Sequence, residues 1–406
     1  MGAYYYIAII LIALQVLFLL LCFRNYRYVL LKHGKKRLWQ SSPVGLIVPC
    51  KGIDAEFDKN ITSLLKLNYE NYVLLFVVAE ESDPAYGRLS RLIDRHRQTS
   101  RARDIRILVA GRARTCSQKI HNLLYAYQQV AEKVETLAFV DSDVCVRPDW
   151  LAQLVWPLRQ SRYGASTGYR WFIPKNNNLA ELALSSMNGK VAQLLGNTPF
   201  NQAWGGSMAI RADTFRRVGL DRLWPKVLSD DLSLTYAVKK AGMKLAFVPA
   251  CIVPTYLSTS WPELFEFARR QFLITRIYRP STWFFGLCSS LFSVLCLWPT
   301  AALAGYAINA GAENASLYVA VPVVSLACQA GRAILRQKMI GTVIPEERDT
   351  LRWARLADIT LSWAWSALMF ALILSSAFGR TICWRGIRYK LFSATKTVIL
   401  PGESNA

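Results

Sequence analysis

Apolar residues crowd the two ends of this chain and alternate with polar ones between them. Residues 4–23, YYYIAIILIALQVLFLLLCF, carry no charge. A bilayer crossing takes about 20 apolar residues, so the run predicts a span. It opens on tyrosines, without the basic start and small-residue end of a cleaved leader. Arg24, Arg27, Lys32, Lys35, Lys36 and Arg37 follow it. Positive charge after a span marks the cytosolic side, which predicts an uncleaved anchor with its N-terminus outside.

Between 43 and 256 the pattern changes. The runs VGLIVPC, NYVLLFVVA, DIRILVAG and TLAFVDSD read as strands. Segments such as YGRLSRLIDRHRQ and KIHNLLYAYQQVAEKV read as amphipathic helices between them. That alternation predicts βαβ units and a mostly parallel sheet. Such sheets bind ligands beyond the carboxyl ends of their strands. In WPELFEFARRQFLITRIYRP, 261–280, the residues Phe265, Ala268 and Phe272 share one helical face, which predicts a helix in the membrane interface.

After 281 the chain is apolar again, with candidate spans at 283–309, 317–335 and 359–378. Three full spans put the basic tail RTICWRGIRYKLFSATK outside, against the positive-inside tendency. Two spans and one in-plane segment keep it cytosolic, and both arrangements stay open. The expected divisions are an anchor at 1–24, a cytosolic catalytic domain at 40–258, an interface helix at 259–281, a membrane region at 282–392 and a tail at 393–406.

Charge and cysteine usage narrow the partners. Lys and Arg number 49 against 27 Asp and Glu, a net charge of +22. With 53% hydrophobic residues, that excess points to an anionic membrane surface. No zinc-finger spacing or RNA-binding aromatic signature accompanies it, so no nucleic-acid partner is expected. The nine cysteines form no C-x-x-C pair, which excludes a secreted disulfide framework and fits a reducing cytosol. Three scattered histidines make a His-based metal site a poor fit.

The chemistry concentrates in acidic pairs. In TLAFVDSDVCVRPDWL, Asp141 and Asp143 follow an apolar strand directly. Two such carboxylates repel each other and cost desolvation energy. A Mg²⁺ or Mn²⁺ ion between them removes the repulsion and neutralises a diphosphate; a solvated turn is the plainer alternative. Asp230 and Asp231 form a second pair. Ser229 or Asp230 can cap the helix that follows, and Asp231 can act as a general base on an acceptor hydroxyl. The Gly-Gly of AWGGSMAIR allows close backbone approach to a ligand, or makes a plain turn. Lys119 and Asn122 open a helix, where Lys119 meets a phosphate or stays solvated. Arg269 and Arg270, with Arg276 and Arg279, can hold a departing diphosphate.

Together these segments resemble the ceramide glucosyltransferases, glycosyltransferase family 21, kin of the inverting family 2. The likeness runs from about residue 4 to 392. VPCKGID at 48–54 is similar to the family's opening strand and turn, and EESDPA puts Asp83 in its first acidic motif. SQKIHNL, VDSDV at Asp141, GGSMAIR, LSDDLSLTYAVKKAG and ICWRGIRYKL follow in the family's order. Two departures stand out. ARRQF, 268–272, replaces the (Q/R)-x-x-R-W motif, and Asp143 replaces a glycine, as in family 2 at large.

The resemblance implies an α/β, GT-A-like nucleotide-sugar-binding domain with a mostly parallel sheet, plus transmembrane helices. It implies a membrane-bound inverting transfer of a hexose from a UDP-sugar, UDP-glucose first, to the primary hydroxyl of a ceramide-like lipid. Asp231 is then the base, with Asp230 beside it. Asp83, Lys119, Asp141, Asp143, Arg269, Arg270 and Gln271 face the donor, and Asp141 and Asp143 hold Mg²⁺ or Mn²⁺. One alternative is transfer of N-acetylglucosamine to another lipid such as a hopanoid. A transporter or membrane scaffold is the other, and it fits less well because the acidic pairs lie outside the spans.

Overall fold

The computed structural model describes residues 2–35, 37, 42–54 and 56–401. Lys36 of the basic stretch, residue 40 at the expected start of the catalytic domain and residues 402–406 of the tail lie outside them.

The four apolar runs become β1 (Val44–Pro49), β2 (Tyr72–Val78), β3 (Asp104–Val109) and β4 (Thr136–Val140). They pair in parallel in the order β3-β2-β1-β4. Helices cover both faces of β1, β2 and β4, which is why these strands are nearly all apolar rather than alternating, while β3 at the sheet edge is half-buried and carries Asp104 and Arg106. Leu46, Val48, Leu74 and Phe76 pack on one face against Leu89 and Trp150. Ile47, Leu75, Leu137 and Phe139 pack on the other against Leu123, Phe215 and Trp224.

Three further strands complete the sheet: β5 (Tyr163–Pro174), β6 (Ser207–Arg211) and β7 (Lys244–Leu257). The full order is β3-β2-β1-β4-β6-β5-β7, with β6 antiparallel to both its neighbours. The sheet is therefore mostly parallel with one reversed strand. β5 and β7 pair in parallel, and their register slips between Thr167 and Tyr169. There the backbone of Cys251 comes so close to Gly168 that any side chain would overlap it.

Among the described residues three helices are long and apolar enough to cross a membrane: Tyr4–His33, Pro280–Asn309 and Ala315–Val343. The first begins in the anchor and continues past residue 24, carrying Arg24, Arg27 and Lys32 on its last turns. Tyr4 stacks on Tyr318, the Gln15 amide donates to Ser325 Oγ, and Leu19 lies beside Gly331. The first and third spans thus run in the same direction, and their basic ends lie together.

The segment expected to span at 359–378 is bent. Helices Arg352–Thr360 and Ser362–Ser375 meet at 83°. The first leg is held by a buried ion pair between Asp358 and Arg336. The second leg lies along the helix Pro280–Leu295, with Ile373 against Gly286. After it come β8 (Thr381–Trp384), β9 (Ile387–Ser393) and β10 (Lys396–Ile399), an antiparallel sheet. Ile382, Tyr389 and Leu391 of this sheet join the same core as Ile47 and Leu75. The basic tail therefore packs against the seven-stranded sheet.

The helix Trp261–Tyr278 starts in a capping box of Ser260 and Glu263. Ala268 and Phe272 turn inward, while Trp261 and Phe265 stay exposed at its outer start.

Candidate active site

The carboxyl ends of β1 and β4 open on a cavity of about 1200 Å³. Lys119 lines its acidic end. Ser117 caps the helix Gln118–Val130, its Oγ accepting from Ile120 N, and this fixes Lys119 on the first turn. The ammonium lies 2.7 Å from Asp141 Oδ1 and 3.0 Å from Asp230 Oδ2. One lysine thus ties the two acidic motifs together. Burial pulls its proton affinity down, but Asp141, Asp230 and Asp231 outweigh that and hold it above an ordinary lysine.

The four carboxylates differ. Asp230 is buried, which pushes its pKa up although Lys119 opposes the shift. Asp143 is also pushed up, first by burial and then by Asp141, with Arg170 opposing. Among the described residues no cation lies within ion-pair distance of Asp143. Asp231 is more open than Asp230. Its Oδ1 accepts from Ser229 Oγ at 2.5 Å and from Leu232 N at 2.7 Å. Its Oδ2 accepts from the Gly205 N–H at 3.1 Å. Ser229 caps this helix, Asp230–Lys240, so both aspartates are set by its first turn.

The Gly-Gly pair is more than a turn. A side chain on Gly205 would come within 2.6 Å of Asp230 Oδ2 and 2.7 Å of Lys119 Nζ, and one on Gly206 would enter the Trp204 ring. The peptide must pass this close to bring the Gly205 N–H to Asp231.

Of the residues nominated from sequence, Lys119, Asp141, Asp143, Asp230, Asp231, Arg270 and Gln271 all line the cavity. Arg269 does not. It turns to the bent segment and donates to the carbonyls of Ser375 and Phe378. Asp83 lies behind the wall, where its Oδ1 accepts from Gly52 N at 2.8 Å and Ala85 N at 2.9 Å. It thereby caps the helix Pro84–His96 and pins the Lys51-Gly52 turn, whose glycine has φ +68°.

Two further arginines on the wall were not nominated from the sequence. Arg170, on β5, lies over the rings of Phe172, Trp204 and Phe267. Arg385, at the β8–β9 hairpin, has φ +48°. It exchanges two hydrogen bonds with Lys51: its guanidinium donates to the Lys51 carbonyl at 2.7 Å, and Lys51 Nζ donates back to the Arg385 carbonyl at 2.9 Å. The tail segment ICWRGIRYKL was the one sequence signal for it. The cavity then continues away from the carboxylates along Phe18, Leu21, Met187, Phe285 and Met369. All nine cysteines are free thiols. No cluster of three His, Cys, Asp or Glu side chains converges as a metal-binding set among the described residues.

Several solved structures share parts of this architecture. A mannosyltransferase from Pyrobaculum calidifontis, in complex with GDP-Man and Mn²⁺, is 16% identical, covers 92% of this chain and 97% of its own, and superposes with a TM-score of 0.44. GalNAc-T7 with UDP, GalNAc and Mn²⁺ is 15% identical over 59% of this chain and 51% of its own, with a TM-score of 0.37. At that level of superposition neither informs the site. The family match spans residues 5–397, nearly the whole chain, and the family is the glycosyl transferase family 21. With a mostly parallel sheet and its acidic cavity at the strand ends, glycosyl transfer is its role, and the chain belongs to glycosyl transferase family 21.

Proposed function

We propose that the protein moves a hexose from a UDP-sugar, UDP-glucose foremost, to the primary hydroxyl of a ceramide-like lipid with inversion at the sugar carbon. The observation that carries this reading is the single cavity, with carboxylates at one end and an apolar wall of membrane helices at the other. A lipid can present its hydroxyl to the acidic end while its chains stay among the helices. Sugar nucleotides are made in the cytosol, so the catalytic domain faces that side.

Asp231 is the base. The Gly205 N–H is the one donor bonded to its Oδ2, which leaves that oxygen room to accept a proton. As the acceptor oxygen bonds to the sugar carbon, its proton passes to Asp231. The bond from that carbon to the diphosphate oxygen breaks, and UDP leaves with the electron pair. Arg170 and Arg270 stand on the cavity wall to meet the charge of the leaving group.

A divalent cation fits this donor set. Asp141 and Asp143 offer hard oxygen ligands, and Asp143 is half-buried with no cation within ion-pair distance among the described residues. Mg²⁺ or Mn²⁺ commonly takes one or two carboxylates and fills its other positions with phosphate oxygens and water. When bound it would neutralise the diphosphate.

The test is radiolabelled transfer from UDP-glucose, UDP-galactose and UDP-N-acetylglucosamine to a panel of lipids including ceramide. Label from UDP-glucose in the ceramide band is the expected result. Label from UDP-N-acetylglucosamine alone would replace the donor, and no label in any lipid would end the reading.

A further inference from the structure

The far end of the cavity holds a second cluster of charge, opposite in sign to the first. Lys190 projects from the helix Leu179–Ala192, and Arg332 and Arg336 from the span Ala315–Val343; all three line the cavity. One carboxylate, Asp358, acts on Lys190. It is already fully engaged. Arg336 grips it through two nitrogens, Gln337 Nε2 donates to it at 2.8 Å, and Ser186 Oγ donates to it as well. Lys190 Nζ has only neutral partners: Ser366 Oγ at 2.9 Å and the Ser362 carbonyl at 3.3 Å. Arg332 donates to the neutral Gln15 Oε1 at 2.9 Å. Neither has a carboxylate within ion-pair distance among the described residues.

Burial, and after it the neighbouring Arg336, push the Lys190 ammonium well below an ordinary lysine. Lys190 and Arg332 are half-buried against the cavity, and cations held away from water without a counter-charge normally pair or mark a ligand site. A further group there is unsatisfied. Asn188 is buried on the same wall, and its Oδ1 has no hydrogen-bond partner. Around these groups the lining is apolar, with Phe18, Leu21, Met187 and Met369. Because the first and third spans run in parallel, Arg24 and Arg332 lie at the end of the bundle next to the catalytic domain.

We propose that Lys190 and Arg332 seat the anionic headgroup of a lipid, its oxyanion between the two cations and its acyl chains along the apolar wall. The site goes beyond the transfer reading and does not depend on it. Its cations are Lys190 and Arg332 rather than the Lys119 of the sugar end.

The probe is radiolabelled dodecyl phosphate, bound to the full chain in non-ionic detergent with saturating UDP and Mg²⁺ to block the sugar end. Dodecanol and inorganic phosphate are the competitors. Two charge-assisted hydrogen bonds should make dodecyl phosphate bind at least about tenfold tighter than dodecanol. Lys190→Gln should bring it down to about the dodecanol level, and Lys190→Arg should restore most of the difference. Arg332→Gln reads the same site from the other helix if Lys190→Gln fails to fold. Equal affinity for dodecanol, or dodecyl phosphate binding unchanged in both Gln variants, would overturn the site. Displacement by inorganic phosphate at the probe's own concentration would overturn the lipid as its source. Loss of sugar transfer to every lipid with this binding intact would defeat the transfer reading alone.

Discussion

The two ends of the cavity manage buried charge in opposite ways. At the sugar end four aspartates converge on one lysine, so negative charge is in excess and Lys119 serves two carboxylates at once. At the bundle end three cations face one carboxylate, which Arg336 takes. The two ends are thus unbalanced with opposite sign, and on the two proposals above one cavity takes a cation-bearing group at one end and an anion-bearing group at the other.

The sharpest way to break this contrast is to withhold the cation. Chelation by EDTA after exhaustive dialysis should take sugar transfer to background, and Mg²⁺ or Mn²⁺ should restore it. Full turnover in EDTA would mean that Lys119 and the arginines balance the sugar end unaided. Asp141→Asn should lose more turnover than Asp143→Asn, because Asp141 also holds Lys119.

Next in size is the base. Asp231→Asn keeps the side-chain shape and should lower turnover by about 10²–10⁴-fold, the usual range for general-base catalysis. Its affinity for the UDP-sugar should stay within about threefold. Calorimetric donor binding beside lipid turnover separates the two; loss of donor binding instead of turnover would assign Asp231 to the wrong step.

Lys119→Met tests the excess itself. It strands Asp141 and Asp230 without their cation, and breaking a buried pair this way typically costs about 3–5 kcal/mol. The thermal midpoint in detergent should fall clearly, and added Mn²⁺ should recover part of the loss. An unchanged midpoint would show that the carboxylates do not depend on the lysine. The smallest effect belongs to Arg269→Ala. Since this arginine bonds to the bent segment, turnover should change by less than about threefold, whereas Arg270→Ala should weaken donor use more. Reversed sizes would move the diphosphate contact to Arg269.

Much of this was legible in the sequence, for identifiable reasons. β1, β2 and β4 are apolar runs because the sheet is covered on both faces there, and β3 still shows its apolar positions although Asp104 and Arg106 interrupt it at the edge. β5 mixes glycine, threonine and arginine, and β6 has only five residues, so neither gives a periodic signal. The reversal of β6 is invisible to any pattern, since alternation does not encode direction. The acidic pairs stood out because carboxylates at the end of an apolar strand need a reason. The Lys119 bridge did not, because it joins motifs far apart in the chain. Arg269 and Arg270 could not be told apart by sequence; neighbours on a helix point about 100° apart, and only the packed structure decides which faces inward. Arg332 lies in the run expected to span at 317–335 and Lys190 in a segment without a motif, and only their shared cavity makes them notable.

The tail strands that complete the catalytic core have a consequence for biosynthesis. Ile382, Tyr389 and Leu391 fill a core begun by Ile47 and Leu75, so the first strands wait for the last ones. At about 5–20 residues per second, that wait is roughly tens of seconds on the ribosome. In the meantime the intervening helices must enter the bilayer. The Arg385 hairpin against Lys51 is in place only when synthesis is complete. A nascent chain therefore cannot close its acidic cavity before its own membrane insertion is finished.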